Sequence, residues 1–138
     1  MPEGIPDLWP DEIATEVVTP YAILRMQASH LRRRTENLLE AEVVSEEDAG
    51  QLRHYLEIIA PSLERYRFRL LTAKHEASLV YPVTIESDAF DRPVTRVVAD
   101  TQEEFVEGIG KVLRSSRARS VIHSLIARTN EMRAAQAQ

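Results

Sequence analysis

Arg65-Tyr66-Arg67-Phe68-Arg69-Leu70 alternates charged and apolar residues without a break. A period of two is the pattern of a strand with one wet face and one dry face. Tyr66, Phe68 and Leu70 are expected to point into a core, with Arg65, Arg67 and Arg69 on the opposite side. Three like charges on one strand face repel each other, so carboxylates on neighbouring strands or an anionic partner must compensate.

The preceding segment supplies a partner strand. Gln51 to Ile59 places Leu52, His54, Leu56 and Ile58 on one face, and Ala60 to Glu64 contains the turn formers Pro61 and Ser62. A five-residue loop there would set Ile58 against Tyr66, Leu56 against Phe68 and His54 against Leu70. On the wet face Glu57 would meet Arg67, and Tyr55 would meet Arg69, a charge pair and a cation–π contact. A one-residue slip would put charged side chains against apolar ones. A helical reading competes over 46–73, because Leu52, Leu56, Ile59, Leu63, Tyr66 and Leu70 also recur at helical spacing, behind a Ser45/Asp48 capping pair.

Upstream, Thr19-Pro20 is a helix start, with threonine as N-cap and proline at the first helical position. Leu24, Ala28, Leu31, Thr35 and Leu38 predict a helix from Pro20 to Leu39. Residues 1–18 read as a proline-rich arm with a short helical turn over 11–18. Trp9, the only tryptophan, is expected to dock on the body of the protein or else on a second copy. A strand over 40–43 precedes an acidic turn that ends at Gly50. Downstream, Leu79 to Glu86 reads as a strand made an edge or bulge by Pro82, and Val94 to Val98 as a last short strand. Asp100 or Thr101 caps one helix, with Phe105, Ile109, Val112 and Leu113 as its stripe. Arg117 to Met132 forms another, whose apolar side from Ala118 to Thr129 implies burial. The tail, 134–138, is expected to fray.

The predicted fold is α+β: a mostly antiparallel sheet of four or five strands, with the N-terminal helix and two C-terminal helices on one face. Length supports one domain over 19–133, since 138 residues enclose a single core without staples.

Composition limits the chemistry. Without cysteine there is no disulfide or thiolate, which fits a reducing compartment. The apolar runs are too short to span a bilayer, and Met1-Pro2-Glu3-Gly4 lacks the regions of a signal peptide, so a cytoplasmic location is expected. A net charge of −5 argues against a general nucleic-acid binder. His30, His54, His75 and His123 show no metal-ligand spacing, and Leu79 stands where a His-Glu-x-x-His motif starting at His75 needs its second histidine. Gly108-Ile109-Gly110-Lys111 lacks the other residues of a phosphate loop. No cofactor or catalytic set is indicated.

The candidate site is the wet face: Arg53, Tyr55, Glu57, Arg65, Arg67 and Arg69. Its leading reading is a non-catalytic binding or regulatory surface for a protein or an anionic small ligand, with guanidinium groups held ready for bidentate contacts. The competing reading is a solvated face neutralised by Glu57, Glu40 or Glu42. Further alternatives are an enzyme acting on a phosphate-containing small molecule, assisted by His75 or Glu57, and a nucleic-acid-associated factor. Self-association also suits an exposed edge and a Tyr/Arg-rich face.

Three segments carry a resemblance: Thr19-Pro20 with Gln27-Ala28 and Thr35; Ala60-Pro61-Ser62-Leu63 with Tyr66-Arg67; and Tyr81-Pro82-Val83-Thr84-Ile85. Through them about two thirds of the chain resembles small bacterial proteins of unknown function. The resemblance implies a bacterial origin and carries over no activity or site residue.

Overall fold

Five strands form one antiparallel meander in the order β1-β2-β3-β4-β5. They are β1 (Glu40–Asp48), β2 (Gln51–Ala60), β3 (Tyr66–Glu76), β4 (Val83–Glu86) and β5 (Arg96–Ala99), preceded by α1 (Pro20–Arg34) and followed by α2 (Gln102–Leu113) and α3 (Ser116–Gln136). This computed structural model describes residues 4–137. The remaining residues of the expected arm and tail, 1–3 and 138, lie outside the described residues.

The period-two reading of β2 and β3 holds, and the helical alternative over 46–73 is overturned. Apolar side chains on one face of the sheet share a single core with all three helices, which contribute Leu24, Phe105, Ile109, Val112 and Leu125 among others. Cross-strand pairs such as Ala41 with Ile58, Ala73 with Ile85 and Val83 with Ala99 put those residues on that one face. The opposite face therefore carries no helix. No helix among the described residues is long and apolar enough to cross a membrane.

The hairpin register differs from the expected one by two residues. Ile58 pairs with Phe68 and Glu57 with Arg69, because β2 extends to Ala60 and the turn covers 61–65. Glu64 (φ 56°) and Arg65 (φ 54°) both adopt left-handed backbone there, so Arg65 belongs to the turn and not to the strand. A shift of two leaves each side chain on its predicted face. Between the pairs Glu57–Arg69 and Leu56–Leu71 the register breaks, and Leu70 is the extra residue of a bulge. Leu70 and Leu71 are consequently both buried. Tyr66 departs from expectation: it is 45% exposed, at the mouth of the hairpin beyond the core. Phe68 is half-buried, with the Arg117 guanidinium 5.4 Å from its ring centre.

Helix α1 stops at Arg34, five residues before the predicted end. Glu36 (φ 51°) and Asn37 (φ 66°) turn left-handed, and the Asn37 N–H closes the end by donating to the Arg32 carbonyl. Its start is as predicted: Thr19 Oγ1 accepts from the Ala22 N–H at 3.1 Å. Thr19→Ala should lower stability by about 1 kcal/mol, and the melting temperature by roughly 3–5 °C, in a thermal unfolding scan. No helical turn forms over 11–18. Pro10 precedes the segment, it is rich in β-branched residues, and only Val18 at its end packs on the core, so an isolated turn is not stable.

At the other end, Thr101 and Glu104 cap α2 from both sides: Thr101 Oγ1 accepts from the Glu104 N–H, and Glu104 Oε2 accepts from the Asp100 N–H. Gly108 sits where α2 crosses β4 closely, since a Cβ there would lie 2.6 Å from Ile85 Cδ1. Pro82 lies just before β4 and not inside a strand, and β5 starts two residues later than expected. α3 runs on to Gln136, so 134–136 are helical and not frayed. Only Ala118, Leu125 and Thr129 of α3 are buried, fewer than its apolar pattern implied.

Candidate functional site

The helix-free face is a ladder of alternating charge laid across β1, β2 and β3. Arg67 bridges two carboxylates: one guanidinium nitrogen lies 2.8 Å from Glu42 Oε2, and the other 3.1 Å from Glu57 Oε1. Arg69 Nε donates to Glu57 Oε2 at 3.4 Å, and its guanidinium lies 3.8 Å from the centre of the Tyr55 ring. The Tyr55 hydroxyl in turn donates to Glu46 at 3.0 Å. Arg65 reaches Glu42 at 3.7 Å from its turn position.

Five of the six predicted site residues are thereby joined: Tyr55, Glu57, Arg65, Arg67 and Arg69. Arg53 is not. Its contact is with Gln51 Oε1 at 3.5 Å, while its register partner Glu46 is taken by Tyr55. The required compensation comes from Glu42 and Glu57. The hydrogen bond to Glu42 holds the Arg67 guanidinium above its ordinary pKa. Glu57 is the most enclosed of the charged members, with 14% of its side chain exposed. The predicted stacking of Arg69 on Tyr55 is present despite the changed register, because the two side chains meet on a diagonal.

A second constellation lies on the other face, beside the first turn of α1, where the Tyr21 and His54 ring centres are 5.7 Å apart. Ser45 Oγ is 2.7 Å from His54 Nδ1, and His54 Nε2 is 3.1 Å from His75 Nε2. His75 Nδ1 faces two backbone carbonyls, those of Glu76 at 2.8 Å and Leu79 at 2.9 Å. Carbonyls only accept, so Nδ1 of His75 carries a proton, and in the neutral ring its Nε2 is the acceptor. His54 must then donate from Nε2 and accept at Nδ1, and the Ser45 hydroxyl must donate to it. The whole chain has one polarity. Burial lowers the His54 pKa to about 4, so the ring is neutral at physiological pH. A groove of about 460 Å³, walled by Thr19, Tyr21, Val43 and Leu52, opens over this chain, in which Ser45 is exposed while His54 and His75 are buried.

Sequence reasoning placed His54 on the dry face but did not join it to Ser45 or His75. His75, named as a helper for the arginines in an enzyme, lies across the sheet from them. Among the described residues no group of three or more His, Cys, Asp or Glu side chains is arranged to hold a metal ion. Comparison with family models, curated proteins and solved structures finds no match.

Proposed function

We propose that this protein is a non-catalytic binding protein whose helix-free sheet face docks a protein partner. The observation that carries the reading is Arg67, fixed between Glu42 and Glu57 on a face that no helix covers. Side chains already held in place lose little freedom on association. Val44 and Val98 add exposed apolar area on the same face. A small phosphate would have to displace carboxylates from the guanidinium groups it sought, whereas a protein surface extends the ladder with charges of its own. That favours the protein over the anionic small ligand, and over a phosphate-handling enzyme. The partnership is placed in the cytoplasm, the compartment expected of a cysteine-free chain.

The test is native mass spectrometry of the purified protein, followed by affinity measurement with each partner so identified. Arg67→Ala should weaken that affinity by about tenfold or more while barely changing the melting temperature. Recovery of bare monomer alone, or equal binding of every partner by Arg67→Ala, overturns the reading.

A further inference from the structure

The N-terminal arm is the least explained part of the molecule. Residues 4–18 form neither helix nor strand, and their large apolar side chains have no cover: Leu8 is 82% exposed, Trp9 75% and Ile13 71%. Trp9 thus does not dock on its own body. A run of exposed apolar residues at this density marks a contact surface. The root of the arm, by contrast, is fastened. The Val18 N–H donates to Gln102 Oε1 at 3.2 Å, and the Val18 carbonyl accepts from the Tyr81 hydroxyl at 3.1 Å. The chain therefore enters α1 from the side of α2 and β4. Pro10 keeps Trp9 extended, and the ten residues from Trp9 to Thr19 can span up to about 33 Å.

The groove over β1 and β2 has the complementary character. Tyr21, Val43 and Leu52 supply apolar walls, and Ser45, His54 and His75 supply a polar floor. The polarity of the floor decides what it accepts. The Ser45 proton is committed to His54 Nδ1, so Ser45 Oγ offers the groove lone pairs and no donor. A flat apolar body with a single N–H is the matching group, and an indole is such a body. Trp9 stands 75% exposed and does not enter this groove in its own chain, which leaves the groove to the arm of a second copy.

We propose that two copies of this chain exchange N-terminal arms, Trp9 of each entering the Tyr21–Val43–Leu52 groove of the other with its indole N–H donating to Ser45 Oγ. The exchange is reciprocal and closes as a two-fold dimer. It uses the face opposite to the charge ladder and stands independently of the function proposed above.

Trp9 is the only tryptophan, so its fluorescence reports the contact directly. On dilution of the full chain, molar mass by light scattering should fall from dimer to monomer. Tryptophan emission should move from blue-shifted to solvent-exposed in the same transition. Trp9→Ala should remain monomeric throughout. Tyr21→Glu spoils a groove wall while placing an acid in the first turn of α1, where it is tolerated, and should also be monomeric. Ser45→Ala should weaken the dimer about three- to tenfold. The decisive mixture pairs Trp9→Ala, which has a groove and no tryptophan, with Tyr21→Glu, which has an arm and no groove: adding the first should blue-shift the second. A Trp9→Ala dimer as stable as the original overturns the proposal. So does blue-shifted emission from a monomer, or emission that stays solvent-exposed at every concentration, or a mixture without a shift.

Discussion

Phe105→Ala is expected to cost about 3–5 kcal/mol, a large share of the total stability of a domain this size. Phe105 is fully buried in the first turns of α2, among Ile109, Val112 and the sheet residues Val83, Ile85 and Ala99. Its ring meets Tyr81 edge-on, with centres 6.4 Å apart. Deleting the ring removes both the transfer free energy of a phenyl group and the contacts of the walls around it. Close-packed surroundings fill such a space only in part, and α2 already lies close on β4, where a Cβ at position 108 would meet the tip of Ile85 at 2.6 Å. Tyr81 also holds the Val18 carbonyl, so the same substitution loosens the fastening of the arm. In urea unfolding the midpoint should fall with the slope unchanged. Phe105→Leu, which keeps most of the volume, should lose much less. A loss below about 1 kcal/mol for Phe105→Ala would mean that α2 does not depend on this contact.

Much of this architecture is legible in the chain because it follows from period. The alternation at 65–70 and its counterpart at 52–58 gave both faces of β2 and β3, and face assignment survives a register error of two residues. What was not legible depends on single backbone angles. Glu36, Asn37, Ala49, Glu64 and Arg65 all adopt positive φ, yet only Asn37 is a residue type that favours it. The turn at 61–65 therefore could not be placed to the residue. The Leu70 bulge had a signal, the adjacent apolar pair Leu70-Leu71, which breaks a strict alternation. The histidine chain failed to emerge for the same reason. In the expected register His54 faces Leu70; the bulge and shift instead pair His54 with Ala73 and Leu52 with His75, which brings the two rings onto one diagonal. The charge ladder was accessible because most of its members alternate within two adjacent strands, and only Glu42 and Glu46 required knowledge of the neighbour in β1. The arm could not be read at all from periodicity, since a segment with nothing to pack on inside its own chain has no face.

The second large effect is acid sensitivity centred on His54. The folded protein holds this ring at a pKa of about 4 against an ordinary 6.5. As pH falls below 6.5 the unfolded chain takes up a proton that the folded chain refuses, and stability drops until the pH passes about 4, below which both forms are protonated. Stability from this group is thus complete above pH 7 and lost through the window 6.5 to 4, with a loss between pH 7 and pH 4.5 of about 2 kcal/mol. The cause is burial, not a lost hydrogen bond. A protonated His54 can still donate from Nε2 to His75, and from Nδ1 to Ser45 once the hydroxyl rotates to accept. Urea unfolding at the two pH values should show this loss in the native chain, and a dependence flatter by about 2 kcal/mol in His54→Gln, which has no proton to take up. The ring resonances of His54 should titrate near pH 4 in the folded protein. A midpoint near 6.5, or an equal pH dependence in His54→Gln, would show that the ring is solvated and that the hydrogen-bond chain from Ser45 to the Leu79 carbonyl does not persist in solution.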